Sequence, residues 1–569
     1  MRFKSKPASL ATAIALGISA IAFPMKDSMK VSGASISPYV DYAKALQYSL
    51  YLYDANMCGS IVSENSALSW RGDCHTQDGK APLDWRGEGQ PQGAPSTVNV
   101  DGGFHDAGDH VKYVNISAQA FSTLVKARIA FPNAFIKTEQ DKHLQKLLDY
   151  ECDFLMKCIV YDNSGKAVGF VYQVADGNAI GEDHQYWAPP ETQGNLRRTA
   201  FASRQGSPDA LYLLNKTKEI YHNSGSSEMS QRLSKAIQDL QSLGGKSPLS
   251  MEGNYAPEAN HNVNVTPNSA VNPNPETSYN GNAELKGWDW GKLRWTCNYM
   301  FEDLCQNRNW GNAAATMDFI FGNNDKSQCF VTGYYNTPTN VGNRSGVISP
   351  QNAHHRAMDG NVFTSTTDNP GVYHDVARNH GAQPTKFNGD SKNILIGALV
   401  GGPDGNGVYQ YVDNQCDYVC NEVALDFNAG FVGSLAGLYE KYGAGCSIAN
   451  EADIPGVIVG KANTAFNPID KGSEPETTTS TTTTTTTEAT TTTVTTTTVI
   501  IPSYIPGDVN YDNSVDIIDL TIMRIELPKG LKLDYLYTPF NFNGDSGFSG
   551  RDLTDVNKFL IGREENILQ

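Results

Sequence analysis

Positive charge is the first thing this sequence is short of. Over 569 residues, 44 Lys and Arg stand against 61 Asp and Glu, leaving a net charge of -17. No stretch gathers the basic side chains into a stripe, and phosphate binding needs such clustering, so nucleic acid is excluded as a partner. Long apolar runs are missing after the N-terminus. The one that exists, Leu10 to Phe23, follows Arg2, Lys4 and Lys6 and is too short for a stable membrane span. Residues 1–34 are therefore expected to be a signal peptide and short leader, cleaved after Ala20 and Ala22 or after Ser32 and Ala34. The mature protein is expected to be secreted and extracellular, with no membrane partner. Ten cysteines are sparse for this length, which excludes a dense disulfide framework. Period-two alternation is scarce as well, so a β-rich architecture is not expected. No His-Glu-x-x-His occurs, which removes the commonest helical zinc-hydrolase motif.

What is present begins with helical spacing. Apolar residues recur at helical intervals over 40–56, 142–159, 209–222, 230–243, 292–305, 313–320 and 428–442. Long loops rich in Gly, Asn, Pro and aromatics separate them. The chain exceeds the size at which one core stops growing, so at least two folding units are expected. The first, at 35–470, reads as a mainly helical domain whose loops build the working surface. Residues 471–505 form a linker. Eighteen of the 22 residues from Thr477 to Thr498 are threonine, and such a segment cannot bury enough apolar surface to offset its chain entropy.

A duplicated module follows at 506–569. Asp508, Asn510, Asp512, Asp516 and Asp519 are echoed by Asn541, Asn543, Asp545, Ser549 and Asp552, each set followed by an apolar helical stretch. Oxygen ligands at positions 1, 3, 5, 9 and 12 of a tight loop suit calcium, in EF-hand-like fashion, with Asp in place of Glu at position 12. The pair of loops resembles a type I dockerin, a small α-helical module with two such calcium loops. That resemblance implies attachment to a cohesin module of a cellulosome scaffold, with calcium as a cofactor. Asn541 departs from the family, where Asp is usual.

Two acidic stretches carry the chemistry. His105-Asp106-Ala107-Gly108-Asp109-His110 places two carboxylates three residues apart on a glycine-containing turn. Tyr411 to Gly430 contains Asp413, Asp417, Glu422 and Asp426, and is expected to open a helix with several carboxylates near its start. Glycoside hydrolysis needs two carboxyl groups in opposite protonation states, and Glu422 between Tyr418 and Phe427 is the candidate acid.

Asp106–His110, His354-His355-Arg356 and Tyr411-x-Asp413-x4-Tyr418-x3-Glu422-x-Ala424-x3-Asn428-Ala429 together resemble glycoside hydrolase family nine, as does Asp183-His184 with Trp187 and Glu191. The resemblance covers 40–443. It implies an all-α catalytic domain, an (α/α)6 toroid of six helical hairpins, acting on a β-1,4-glucan with inversion. Asp109 would be the base, Asp106 its partner in positioning water, and Glu422 the acid. His354 and Arg356 would bind sugar beside the scissile bond, and Asp413 would support the acid. His184, Trp187 and Phe427 are the expected substrate-binding residues. Phe427 stands where Tyr is common. Trp288, Trp290 and Tyr411 are further candidates for stacking on sugar faces.

Cys58, Cys74, His75 and His105 admit two readings. Two thiolates and two imidazoles suit a closed, structural tetrahedral zinc, as some members of that family carry; a Cys58–Cys74 disulfide beside two unrelated histidines is the other. Rival functions are a non-catalytic glucan-binding component and a zinc-dependent hydrolase. The first needs a catalytic carboxylate to be missing, and the second needs an open metal position. Cellulose, xyloglucan and mixed-linkage glucan remain open as substrates.

Overall fold

The computed structural model describes residues 37–177, 183, 187–194, 196–225, 227–244, 279–287, 290–335, 346–360, 390–403, 411–415 and 417–468. The leader, the linker, the calcium-loop module, His184 and Trp288 lie outside them. Eight helices of eleven residues or more are found among the described residues: α1 (Tyr42–Asn56), α2 (Val114–Ala130), α3 (Asp141–Lys157), α4 (Pro208–Tyr221), α5 (Glu228–Leu243), α6 (Lys292–Cys305), α7 (Trp310–Ile320) and α8 (Leu425–Tyr442). None of them is long and apolar enough to cross a membrane.

Apolar spacing locates seven of the eight, and capping chemistry corrects their starts. Asp41 accepts hydrogen bonds from the amides of Ala43 and Lys44 at 3.0 and 3.1 Å, so α1 begins at Tyr42 rather than Val40. Ser207 and Ser227 do the same for α4 and α5 through Ala210 and Ser230. Helix α2 escapes the pattern because nearly every side of it is buried, leaving no polar stripe to mark a period.

Helix α8 packs against α6, α2 and α1, and glycine makes the closest of these approaches possible. A Cβ at Gly430 would stand 2.1 Å from Asn298 Oδ1, and one at Gly433 would stand 2.6 Å from the Phe301 ring. Side chains at these two positions would push α6 off α8.

The all-α expectation needs one correction. Six short strands form a sheet: β1 (Ala81–Asp84), β2 (Thr97–Val98), β3 (Lys112–Tyr113), β4 (Ile159–Tyr161), β5 (Ala167–Val174) and β6 (Ala200–Ser203). Their order is β2-β1-β6-β5-β3, with β4 also on β5, and only β1–β6 is parallel. Five strands are too short to show alternation, and β5 is buried on both faces, so its sequence has no polar side to alternate with. The sheet matters for function because β3 pairs with β5 and fixes the far end of the turn at 105–110.

Candidate active site

Residues 105–110 lie between the end of α1 and β3, and their main chain is held on every side. The Asp106 amide donates to Val111 O at 3.0 Å, and Asp106 O accepts from the Leu425 amide at 2.9 Å. Asn56, the last residue of α1, donates through Nδ2 to His105 O at 2.9 Å and to Ala107 O at 3.0 Å. Gly108 is required for close approach. A Cβ there would sit 1.9 Å from His354 O. The turn and the His-His-Arg loop therefore touch backbone to backbone, sealed by the Arg356 amide donating to Gly108 O at 2.9 Å.

Arg356 is held in place by Asp183. Its Nη1 lies 2.8 Å from Asp183 Oδ2, which also accepts from the His110 amide at 3.1 Å. One carboxylate thus joins the sugar-binding candidate to the catalytic turn. Burial pushes the His110 ring down to about 4, so it is neutral near pH 7.

The second acidic stretch differs from expectation. Residues 411–415 and 417–424 are loop, and the helix begins only at Leu425, with Asp426 alone in its first turn. Glu422 therefore gains nothing from the helix start. It sits on an isolated parallel bridge with His354, flanked by the His354 amide donating to Asn421 O at 2.8 Å and the Gly401 amide donating to Glu422 O at 2.9 Å. Asp413 accepts from the amides of Gln351 and Asn352 at 2.8 and 2.9 Å. Asn421 Nδ2 donates to Asn352 O at 2.7 Å and Asn414 O at 3.0 Å. Asp413 thus ties this loop to the segment that leads into His354.

Segments around Asp106, Arg294 and Glu422, far apart along the chain, converge on one spot, and the charges register it. Burial first, then the negative charges of Asp426, Asp109 and Glu422, push the Asp106 carboxyl well above the usual range, while Arg294 opposes. Arg294 pairs with Asp426 at 2.6 Å. Asp106 Oδ1 is buried with no protein hydrogen-bond partner.

Aromatic rings form a row beside this cluster. Trp187 lies edge-on to His354 at 4.9 Å, His354 lies 6.2 Å from Tyr418, and Tyr418 lies 5.1 Å from Trp290. Trp290 is 53% exposed, whereas Trp187 is buried and donates through Nε1 to Asp359. Phe427 is buried in a small cluster with Ala107 and Ala424, beside the turn. Tyr411 is buried too, its hydroxyl donating to Asn421, so it offers no open face.

Cys58, Cys74, His75 and His105 come together, all buried, with donor atoms within 4.8 Å of one another. Cys58 and Cys74 are free thiols, so the disulfide reading does not describe this structure. Cys58 Sγ is 3.6 Å from His75 Nδ1, which is 3.1 Å from His105 Nε2. Edges of a zinc tetrahedron with these donors are about 3.3–3.8 Å, so the residues fit such an ion. His75 Nε2 pairs with Gln193 Oε1 at 3.1 Å, which leaves Nδ1 free to act as a ligand. Arg71 Nη2 lies 3.6 Å from Cys74 Sγ and its Nε donates to Glu191 at 2.8 Å.

Sequence reasoning missed Asn56, Gln193 and Arg294. Each acts on groups remote along the chain, and single polar residues inside or beside helices give no local signal.

Comparison with known proteins agrees with this geometry. The family described as Glycosyl hydrolase family 9 matches residues 42–216 and 226–435. Endoglucanase B of Cellulomonas fimi is 25% identical over 528 residues, covering 76% of this chain and 45% of its own. Endoglucanase A of Bacillus pumilus is 25% identical over 509 residues, covering 73% and 69%. The chain thus spans about half the length of the first of these relatives. Among solved structures, the catalytic domain of Clostridium thermocellum CelT is similar with a TM-score of 0.54 and 26% identity, covering 73% of this chain and 100% of that one. The clustered carboxylates, the helical fold and the matched residues lead to one conclusion: this chain belongs to glycosyl hydrolase family 9 and carries the helical toroid of its catalytic domains.

Proposed function

We propose that the chain is an endo-β-1,4-glucanase that hydrolyses cellulose or a related β-glucan with inversion. One observation carries the reading: the turn of Asp106 and Asp109 is docked, backbone to backbone, on the loop that bridges His354 to Glu422. Asp109 takes a proton from the attacking water. Asp106 orients that water, and its unpartnered buried oxygen is a natural acceptor for it. Glu422 protonates the departing glycosidic oxygen. Inversion requires Asp109 and Glu422 to stand about 6.5–9.5 Å apart, leaving room for water. His354 and Arg356 hold the sugar at the scissile bond, and Trp290 offers an exposed ring further along the same row.

Zinc at Cys58, Cys74, His75 and His105 is read as structural. Four protein ligands leave no position for substrate, and His105 adjoins Asp106, so the ion would brace the catalytic turn from behind. The C-terminal module is proposed to be a calcium-dependent dockerin that places the secreted enzyme on a cohesin-bearing scaffold. Its duplicated loops at 508–519 and 541–552 support this.

The test is reducing-sugar release from a panel of β-1,4- and mixed-linkage glucans, partitioned between soluble and insoluble fractions. Endo action predicts release mainly into the insoluble fraction early on. No release from any glucan by protein that is folded would overturn the reading.

A further inference from the structure

Both halves of the proposed site depend on one side chain that the chemistry does not use. Asn56 is fully buried at the end of α1. Its Nδ2 donates to His105 O and Ala107 O, the carbonyls on either side of Asp106. Both amide hydrogens are then committed, so Oδ1, 2.9 Å from His355 Nε2, can only accept. His355 must therefore carry its proton on Nε2. Its Nδ1 consequently accepts from the Met358 amide at 3.0 Å, capping the short helix Arg356–Asp359. The tautomer is fixed from both ends without ambiguity. His355 lies between His354 and Arg356, the residues proposed to hold the sugar, and its own side chain is buried.

We propose that Asn56, acting through neutral His355, is the positioning residue that sets the water-activating turn against the His354–Arg356 loop. The proposal rests on the functional reading above and deepens it. The missing Cβ at Gly108 lets the two loops meet backbone to backbone. The Arg356 amide fixes one point of their separation. Asp183 supplies a second, through the His110 amide and Arg356 Nη1. Both lie on the His110 side of the turn, and Asn56 adds a third at the carbonyls that flank Asp106, anchoring both loops to the end of a buried helix. Its distance from its partners along the chain, 49, 51 and 299 residues, is why no motif announces it.

The clamp acts on water placement, not on proton donation. Its loss should therefore fall equally on substrates with poor and with good leaving groups. Asn56→Ala and His355→Leu should each lower kcat on a cello-oligosaccharide and on an activated aryl cellobioside by the same factor, about 10²-fold. His355→Gln, whose amide can present an N–H near the Nε2 position, should recover most of the loss. The double variant Asn56→Ala/His355→Leu should be no worse than the poorer single one, because the two residues make one connection. Rates are to be scaled to the folded fraction. Should Asn56→Ala not fold, the His355→Leu and His355→Gln pair carries the same test from the other loop. Losses that multiply in the double variant, no recovery by Gln, or a loss confined to poor leaving groups would each overturn the proposal. Asp109→Asn, measured alongside, separates the two ideas. If it stays active the reading of the site fails, whereas non-additive melting temperatures for Asn56 and His355 would still report the clamp.

Discussion

The proposed base side and the proposed acid side of this site are each held by an asparagine, yet they are held differently. Asn56 sits at the end of a buried helix and fixes the carbonyls around Asp106, next to a cluster of four metal-type ligands. Asn421 sits in a loop and bonds two other loop carbonyls, Asn352 O and Asn414 O. One carboxylate turn is fastened to the frame of the protein, and the other is fastened to neighbouring loops. The difference matches the tasks. A water molecule must be aimed at one carbon, whereas an acid can follow the oxygen it protonates, so rigidity is worth more on the base side.

The sharpest way to break this comparison is to remove each carboxyl in turn. Asp109→Asn should lower kcat by about 10²–10⁴-fold on every substrate. Glu422→Gln should lose as much on cellulose but far less on aryl cellobiosides with good leaving groups, which need little proton donation. Initial rates on both substrate types check this, and equal losses for Glu422→Gln would remove it as the acid.

A second effect separates the frames. Cys58→Ser, or treatment with a strong zinc chelator, should lower the melting temperature by several degrees, with activity falling only as structure is lost. Metal analysis should find about one zinc per chain before treatment. Immediate loss of activity with an unchanged melting curve would make the metal catalytic instead. A Cys58–Cys74 disulfide found by peptide mapping would remove it altogether.

Smaller still is the expected cost of loosening the acid side. Asp413→Asn keeps the shape but gives up the charge that holds the amides of Gln351 and Asn352. A loss of roughly tenfold in kcat/KM on glucan is expected. Retention of activity on aryl cellobiosides would locate the damage at the acid.

The smallest effect separates the pH dependence of the fold from that of the chemistry. Glu151 is fully buried, accepts from Ser117 at 2.5 Å, and is pushed by burial to about 8. A carboxyl whose folded value is raised favours the folded state fully below its unfolded value of 4.5, and that stability is lost as pH climbs towards 8. Glu151→Gln should therefore melt a few degrees higher than the parent at pH 8 and nearly the same at pH 4.5. Any alkaline loss of activity that survives in this variant belongs to the site.

How much of this was legible in the sequence depends on whether the signal was local. Helix α6 was readable to the residue from its apolar spacing, and the carboxylates were readable because residues around Asp106 and Glu422 form recognisable strings. The Cys58–His105 ligand set was readable as a choice of two chemistries. Helix α2 and strand β5 were not, because burial on all sides erases periodicity. The loop state of Glu422 was hidden too: carboxylates before an apolar run look like a helix start, and only the bridge to His354, 68 positions away, shows otherwise. The packing of Phe427 with Ala107 and Ala424 was likewise hidden, because those residues are far apart or give no apolar period.

The central claim is that water held by Asp106 and Asp109 attacks in a single displacement while Glu422 donates a proton. Proton NMR of a soluble cello-oligosaccharide during the first minutes of hydrolysis tests it directly, before mutarotation scrambles the products. The account predicts that the newly formed reducing ends appear as the α-anomer and decay to the equilibrium mixture. Reducing ends that first appear as the β-anomer would contradict it.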